Sequence, residues 1–369
     1  MTGRAEYRTM PVGGILDRYV SAGFLRIFGI SLAVITGLYL TADFFEKIGS
    51  LLESGAPATT LLRYFLYKAP LLISRVVGFA TLFSTLFCLG LLARAQEITA
   101  IRSSGVSVQR IALPLLMLSL LLSGLTFFWN ETLVPIFSRN AQQIYRTEIK
   151  QKKQSSLLGT RDIWIRGEAS FINIDNFDAR TNRLEGVTVF TMNRDFSLRS
   201  LIEIPSAQWR ERNWHTDAAV EWELKEDGKL TRRESIANIP ITETPGDLNL
   251  LARDAEEFSY FELQRQIGDM KTKGIDTTAI EVDLQTKLAV PLVSVLMVLL
   301  ATPFAIKRQM SGNISLSFGV TMAIAFGYWV LTALCTSLGH SGALPALPAA
   351  WVPNIIFSMI GAYLFTSEE

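Results

Sequence analysis

Apolar residues in this chain are gathered into long uninterrupted tracts. Ile27–Ala42 holds 16 residues without Asp, Glu, Lys or Arg, Val76–Ala93 holds 18, Ile111–Asn130 holds 20 and Leu288–Ile306 holds 19. From Gln309 to Ser367 there are 59 residues with no formal charge. A bilayer core about 30 Å thick is crossed by about 20 residues of helix. Each of the first four tracts therefore predicts one span, with aromatic and apolar neighbours supplying the missing length. The fifth is too long for one helix, and Gly339-His340-Ser341-Gly342, followed by Pro345 and Pro348, divides it in two. The pattern predicts six transmembrane helices, at about 24–45, 66–93, 111–130, 288–306, 314–338 and 344–365.

Between the third and fourth helices the period changes. Asp162–Arg166, Phe171–Ile174, Val187–Met192 and Val220–Leu224 are short runs rich in β-branched and aromatic residues. Turn-forming clusters separate them at a spacing that predicts an all-β sandwich or barrel over 161–255. Residues 131–160 and 256–287 read as helical connectors that continue spans three and four. The expected fold is thus six membrane helices arranged 3+3, in halves 1–130 and 288–369, with an inserted all-β domain. Trp164, Trp209, Trp214 and Trp222 are expected in the β core. A β interior that holds lipid is the sharper alternative.

Charge sharpens this division. The chain has 369 residues, 49% of them hydrophobic, with 35 Lys and Arg against 34 Asp and Glu. Between Asn130 and Lys287 lie 26 of the acidic and 22 of the basic residues. That distribution excludes a purely soluble globule, a disordered chain and a collagen-like repeat. A net charge of +1 gives no support for nucleic-acid binding.

Orientation follows from Lys and Arg in the short loops. Arg4, Arg8, Arg18, Arg26, Arg94, Arg102, Arg110, Lys307 and Arg308 fall on one side, and only Lys47 and Arg63 on the other. Both termini and the 94–110 loop are therefore expected in the cytoplasm and the β domain outside. A cleaved signal peptide is the alternative for the first tract. Its arginines are too dispersed, and Asp43-Phe44-Phe45-Glu46 suits cleavage poorly. Cys88 and Cys335 both lie in apolar tracts and read as buried thiols, so no disulfide framework is expected.

The chemistry of known catalytic motifs is absent from the sequence. No G-x-x-x-x-G-K-[ST], G-x-S-x-G, H-E-x-x-H or C-x-x-C run occurs. His215, without a second ligand nearby, is not expected to hold a metal. Neither catalysis nor a cofactor is expected, and energy for work on a substrate must come from another chain.

Two regions carry information instead. In the cytoplasmic segment 93–105, Ile98 and Ile101, with Ala95 and Arg102 nearby, recur at helical spacing before a stop at Gly105. A short amphipathic helix between two spans is either a lever for a partner or a helix resting on headgroups. Ionisable residues flank the spans: Asp43 and Lys47 are placed to pair at i, i+4, while Lys68 and Arg75 face a wet interior or snorkel to the interface.

Specific strings then add a resemblance. Ile15-Leu16-Asp17-Arg18-Tyr19 leads into span one, and Leu91-Leu92-Ala93-Arg94-Ala95-Gln96-Glu97-Ile98 precedes Arg102-Ser103-Ser104-Gly105-Val106-Ser107. Leu158–Trp164 opens the β block, and Gly339–Gly342 and Ala350-Trp351-Val352-Pro353-Asn354 frame span six. Over its whole length the chain resembles the LptF/LptG family, the permease subunits of the lipopolysaccharide export transporter. The Leu-Asp-Arg-Tyr string favours the G branch over the F branch, and an F-type chain is the alternative. A tethered periplasmic lipid-binding or sensing protein without transport is a further one.

The resemblance implies a set of partners. They are an LptF-like paralogous subunit, a cytoplasmic LptB-like ATPase dimer, an LptC-like single-helix periplasmic protein, and lipopolysaccharide in the bacterial inner membrane. It implies a periplasmic jelly roll for the β domain. The 93–105 segment matches the family's coupling helix and Glu97 its acidic residue, so Arg94, Glu97, Ile98, Ile101 and Arg102 are expected to couple to the ATPase. Family members place lysines at the outer end of span one, but here only Lys47 is basic and Asp43 stands where a lysine is frequent. Either Asp43 pairs with Lys47, or Arg63, Arg139 and Arg146, or the partner subunit, are expected to join Lys47 at the lipid headgroup.

Overall fold

The computed structural model describes residues 14–54, 57–145, 276–307 and 314–366, together with 163–166, 170–178, 181–193, 197–211, 213–216, 218–224, 230–235, 241, 244–246, 248 and 255–272. The chain divides into two compact units, one formed by 1–50, 57–142 and 278–369, the other by 51–56 and 143–277.

In the first unit α1 spans Ile15–Ser54, α2 Ala58–Arg94, α3 Glu97–Ser103 and α4 Val108–Ile144. Among the described residues five helices are long and apolar enough to cross a membrane, or six when one bent pair counts as a single span. Inside α2 the buried hydroxyls return to their own helix: Thr81 donates to the Val77 carbonyl at 2.8 Å and Thr85 to that of Thr81 at 2.9 Å. Such back-bonding satisfies polar groups without recruiting a neighbour. Pro70 interrupts the ladder of α2, and Trp129 of α4 donates its indole N–H to the Pro70 carbonyl at 2.9 Å. Helix-breaking prolines persist in membrane helices where neighbours re-satisfy the backbone in this way.

The bent pair departs from the sequence expectation of one straight helix over 288–306. A helix occupies Thr278–Ala289 (α6, preceded in the second unit by α5, Tyr260–Thr272), and the next, α7, begins at Val293 and runs to Lys307. The two meet at 53°. Pro291 lies in the break, and its missing N–H cannot continue the ladder. Val293 instead bonds back to Val290 at 3.1 Å, which frees the Ala289 carbonyl. Asn354 takes it up with its side-chain N–H at 2.9 Å, and Tyr328 donates to the Asn354 Oδ1 at 2.7 Å. These two groups come from α8 (Ile314–His340) and α9 (Ala346–Thr366). Both side chains are buried, so the fracture is sealed by a closed polar network. At the end of α8, Gly339 allows close packing: a Cβ there would lie 2.6 Å from the Ala349 Cβ. Span three and the start of the 131–160 connector form one helix, since α4 runs unbroken through residue 144.

The second unit holds seven antiparallel strands: β1 Ile163–Arg166, β2 Ser170–Asp178, β3 Arg183–Met192, β4 Leu198–Arg210, β5 Asn213–His215, β6 Ala219–Leu224 and β7 Leu230–Ser235. They form one hydrogen-bonded sheet in the order β1-β2-β3-β4-β6-β7, with β5 beside β4. The described strands therefore do not separate into two sheets. Registered pairs Ile172–Val189 and Ile174–Val187, then Val189–Ile202 and Val187–Ile204, carry one apolar face across three strands. Phe177, Leu184, Ala207 and Trp214 extend this core, and Ile241 and Leu248 cover it.

Strict alternation fails midway. Gly186 adopts φ 64°, a left-handed conformation in which a Cβ would strike Asp175. Pro205 falls at the same level of β4, between the stretch bonded to β6 and the stretch bonded to β5. There its missing N–H breaks no rung of the ladder to β5 or β6, which is how a central strand tolerates proline. Beyond this level the inward positions change phase, from Ile204 to Ala207 and from Val187 to Leu184. Of the four tryptophans expected in the core, Trp214 is buried and Trp209 packs beside it with ring centroids 5.1 Å apart. Trp222 is not there: it pairs with Leu201 on the other face, under Arg232 at 6.0 Å. The Trp164 side chain lies outside the description.

Candidate functional site

The 93–105 segment folds as a seven-residue helix seated at a junction of four others. Arg94 ends α2, Gln96 turns the chain at φ 61°, and α3 begins at Glu97. Gly105 closes it at φ 87°, the left-handed position that follows a helix end. Ser107 then caps α4, accepting the Arg110 backbone N–H at 3.3 Å.

Ile98 is 0% exposed. Its cluster draws Val20 and Phe24 from α1, Leu89 and Leu92 from α2, Ile111 and Leu115 from α4, and Val298 and Ile306 from α7. Ile101 packs at the margin of the same cluster. Full burial of such a side chain is worth about 1.5–3 kcal/mol. Arg94, Ala95, Gln96, Ala100 and Arg102 face outward. Ala95 and Arg102, expected near the apolar face, are therefore on the open side. One face of α3 is locked into the membrane unit and the other is available.

Two polar contacts complete the site. Arg110 donates from both terminal nitrogens to both oxygens of Asp17, at 2.6 and 2.9 Å, in a largely buried pair. Bidentate pairing of this kind is both strong and directional. Tyr19 donates its hydroxyl to the Glu97 Oε2 at 3.0 Å. In the sequence Arg110 reads only as a loop charge, and Asp17 and Tyr19 carry no sign of a structural part. An acid at the start of span one and an arginine at the start of span three were the available signal, since charges at span ends pair inward.

The headgroup candidates are not gathered into one described site. Lys47 lies on α1 with its side chain outside the description, Arg63 is exposed on α2, Arg139 is half-buried on α4, and Arg146 lies outside the described residues. Asp43 is paired across helices, while the side chain of Lys47, its expected partner, lies outside the described residues. The Lys68 ammonium of α2 donates to the Asp43 Oδ1 at 2.6 Å, and both side chains are mostly buried, at 15% and 8% exposure. Lys68 also lies 5.7 Å from the centre of the Tyr64 ring, and Phe44 packs against Phe65 beside it. Lys68 therefore joins helices rather than snorkelling.

Comparison with known proteins fits this architecture. The family described as lipopolysaccharide export system permease LptF/LptG matches residues 18–367. The chain is 23% identical over 360 residues to the lipopolysaccharide export system permease protein LptG of Escherichia coli K12, covering 96% of this chain and 99% of that protein. The LptG of Escherichia coli O6:H1 strain CFT073 matches equally. A multi-pass membrane chain with an inserted antiparallel β domain, matching one family almost end to end, belongs to the LptF/LptG family of lipopolysaccharide export permeases, which are transporter components rather than enzymes.

Proposed function

We propose that this chain is the G-type permease subunit of an ATP-driven lipopolysaccharide exporter in the bacterial inner membrane. It crosses the membrane six times, the bent α6–α7 pair counting as one span. Its termini and α3 are cytoplasmic, and its β domain is a periplasmic, jelly-roll-like module. An LptF-like subunit completes the membrane cavity, an LptB-like ATPase dimer supplies the stroke, and an LptC-like protein joins on the periplasmic side.

The observation that carries this reading is the seating of α3. Ile98 is fully buried among four helices while Arg94 and Arg102 stay exposed around the half-buried Glu97. A partner that grips the open face moves a helix rooted in four spans. ATP binding closes the ATPase dimer, α3 is displaced, and the cavity formed by spans one and five contracts. Acyl chains expelled from it escape water in the apolar interior of the β domain, which makes the transfer favourable. Lys47, Arg63, Arg139 and Arg146 are the cations proposed for the phosphorylated headgroup.

The test is Glu97→Ala and Glu97→Lys in the assembled complex. Both leave Ile98 seated, so the permease should fold. Reversing the charge should release the ATPase or stop transport, and the alanine should weaken either. Normal ATPase association and normal transport in both variants would remove Glu97 from the coupling surface.

A further inference from the structure

The first turn of α1 reaches two different elements with two nearby side chains. Asp17 is held by Arg110 of α4 through both carboxylate oxygens, and Tyr19 donates to Glu97 at the start of α3. Residues two apart on a helix point about 200° from each other. Contacts from both therefore fix the rotation of α1 as well as its position. Behind them, Val20 and Phe24 enter the cluster that buries Ile98. Gly23 completes the fit: a Cβ there would lie 3.3 Å from the Cys88 sulfur of α2.

Further along, α1 is much less attached. Ile30, Val34 and Leu38 are 60%, 55% and 66% exposed. Among the described residues, the next side-chain bond from α1 to another helix is Asp43 to Lys68. The helix is thus clamped at its cytoplasmic end and tied again near its outer end, with a free stretch between.

We propose that Asp17 and Tyr19 are positioning residues of the coupling element, which clamp the first turn of α1 to α3 and α4 so that displacement of α3 is delivered to α1 through side chains. The proposal rests on the reading that α3 receives the ATPase stroke. The 26 residues from Asp17 to Asp43 span about 39 Å of helix. A tilt of about 5° at the clamp moves the far end by about 3 Å, given that length. A shift of that size opens a salt bridge 2.6 Å long unless α2 follows. One stroke at α3 therefore acts on the outer end of span one, where the cavity is proposed to open.

The experiment uses the complete complex with its ATPase, reconstituted in proteoliposomes loaded with lipopolysaccharide. The variants are Tyr19→Phe, Asp17→Asn, and the charge exchange Asp17→Arg with Arg110→Asp. Three quantities are read: ATPase association, lipid released per ATP hydrolysed, and the nucleotide-dependent distance change between spin labels at Leu38 and Leu121. Both sites are largely exposed. Tyr19→Phe and Asp17→Asn should retain the ATPase and its hydrolysis, lower lipid released per ATP several-fold and shrink the distance change. The charge exchange should restore part of what Asp17→Asn loses. Wild-type lipid per ATP and wild-type distance change in both single variants would overturn the proposal. Should Asp17→Asn fail to assemble, Tyr19→Phe, which removes one oxygen, decides alone. A Glu97→Lys complex that keeps both ATPase and transport would instead defeat the underlying reading of α3.

Discussion

Replacing Lys68 by Met should expose how α1 is tied to α2. The ammonium lies 2.6 Å from the Asp43 carboxylate, and the two side chains are only 15% and 8% exposed. Removing one partner of a buried pair typically costs about 3–5 kcal/mol, because the other charge is left desolvated. The residual exposure here places Lys68→Met near the lower end, at about 3 kcal/mol. Asp43→Leu should cost less, about 2 kcal/mol, since a released lysine can swing its head towards water. Replacing both removes the desolvated charges together, and the pair Asp43→Leu, Lys68→Met should lie within about 1 kcal/mol of the native protein. The coupling energy is then roughly 4 kcal/mol. It can be measured as a double-mutant cycle from reversible unfolding in mixed micelles. Additive single costs, with a coupling below about 0.5 kcal/mol, would show that the two side chains do not act as a pair.

Other consequences follow from the same geometry. Ile98→Ala should loosen α3 by about 2–5 kcal/mol, since the cluster around it cannot fully collapse. Hydrogen exchange should quicken over 97–103 while the β domain is unaffected. Asn354→Leu removes the donor to the Ala289 carbonyl and the acceptor of the Tyr328 hydroxyl together. It should cost about 1–3 kcal/mol per stranded group and lower the thermal midpoint, whereas Asn354→Gln should recover part of the loss. His340→Gln should do little: the pair with Asp283 at 2.9 Å is 46% and 32% exposed, and such surface pairs contribute under about 1 kcal/mol. An unchanged midpoint in Asn354→Leu, or a large loss in His340→Gln, would contradict this ranking.

The hydrophobic tracts were legible because a bilayer demands length and purity, and both are visible in a count of charges. The fracture at Pro291 was not, because proline alone does not decide between a kink and a break. Pro70, Pro114 and Pro303 all sit within continuous helices. What distinguishes Pro291 is the Asn354 side chain, which reaches the freed carbonyl from 65 residues away. In the β domain, the readable runs Phe171–Ile174 and Val187–Met192 stop where Gly186 and Pro205 shift the inward phase. Strand β4 was missed for the same reason, since its inward positions change parity between Ile204 and Ala207. At the site, Ile98 and Gly105 showed in local spacing. The contacts of Asp17 with Arg110 and of Asp43 with Lys68 join residues 93 and 25 apart, and no local pattern carries them.

The proposed export cycle requires α3 inside the cell and the β domain outside it. Maleimide labelling of single cysteines at Arg102 and at Glu211, in a chain lacking Cys88 and Cys335, tests this in intact cells with a permeabilised outer membrane. Both positions are exposed. The cysteine at 211 should react with an impermeant maleimide, and the cysteine at 102 only after the inner membrane is opened. Equal reaction of both before that step would contradict the proposed placement of α3 and the β domain on opposite sides.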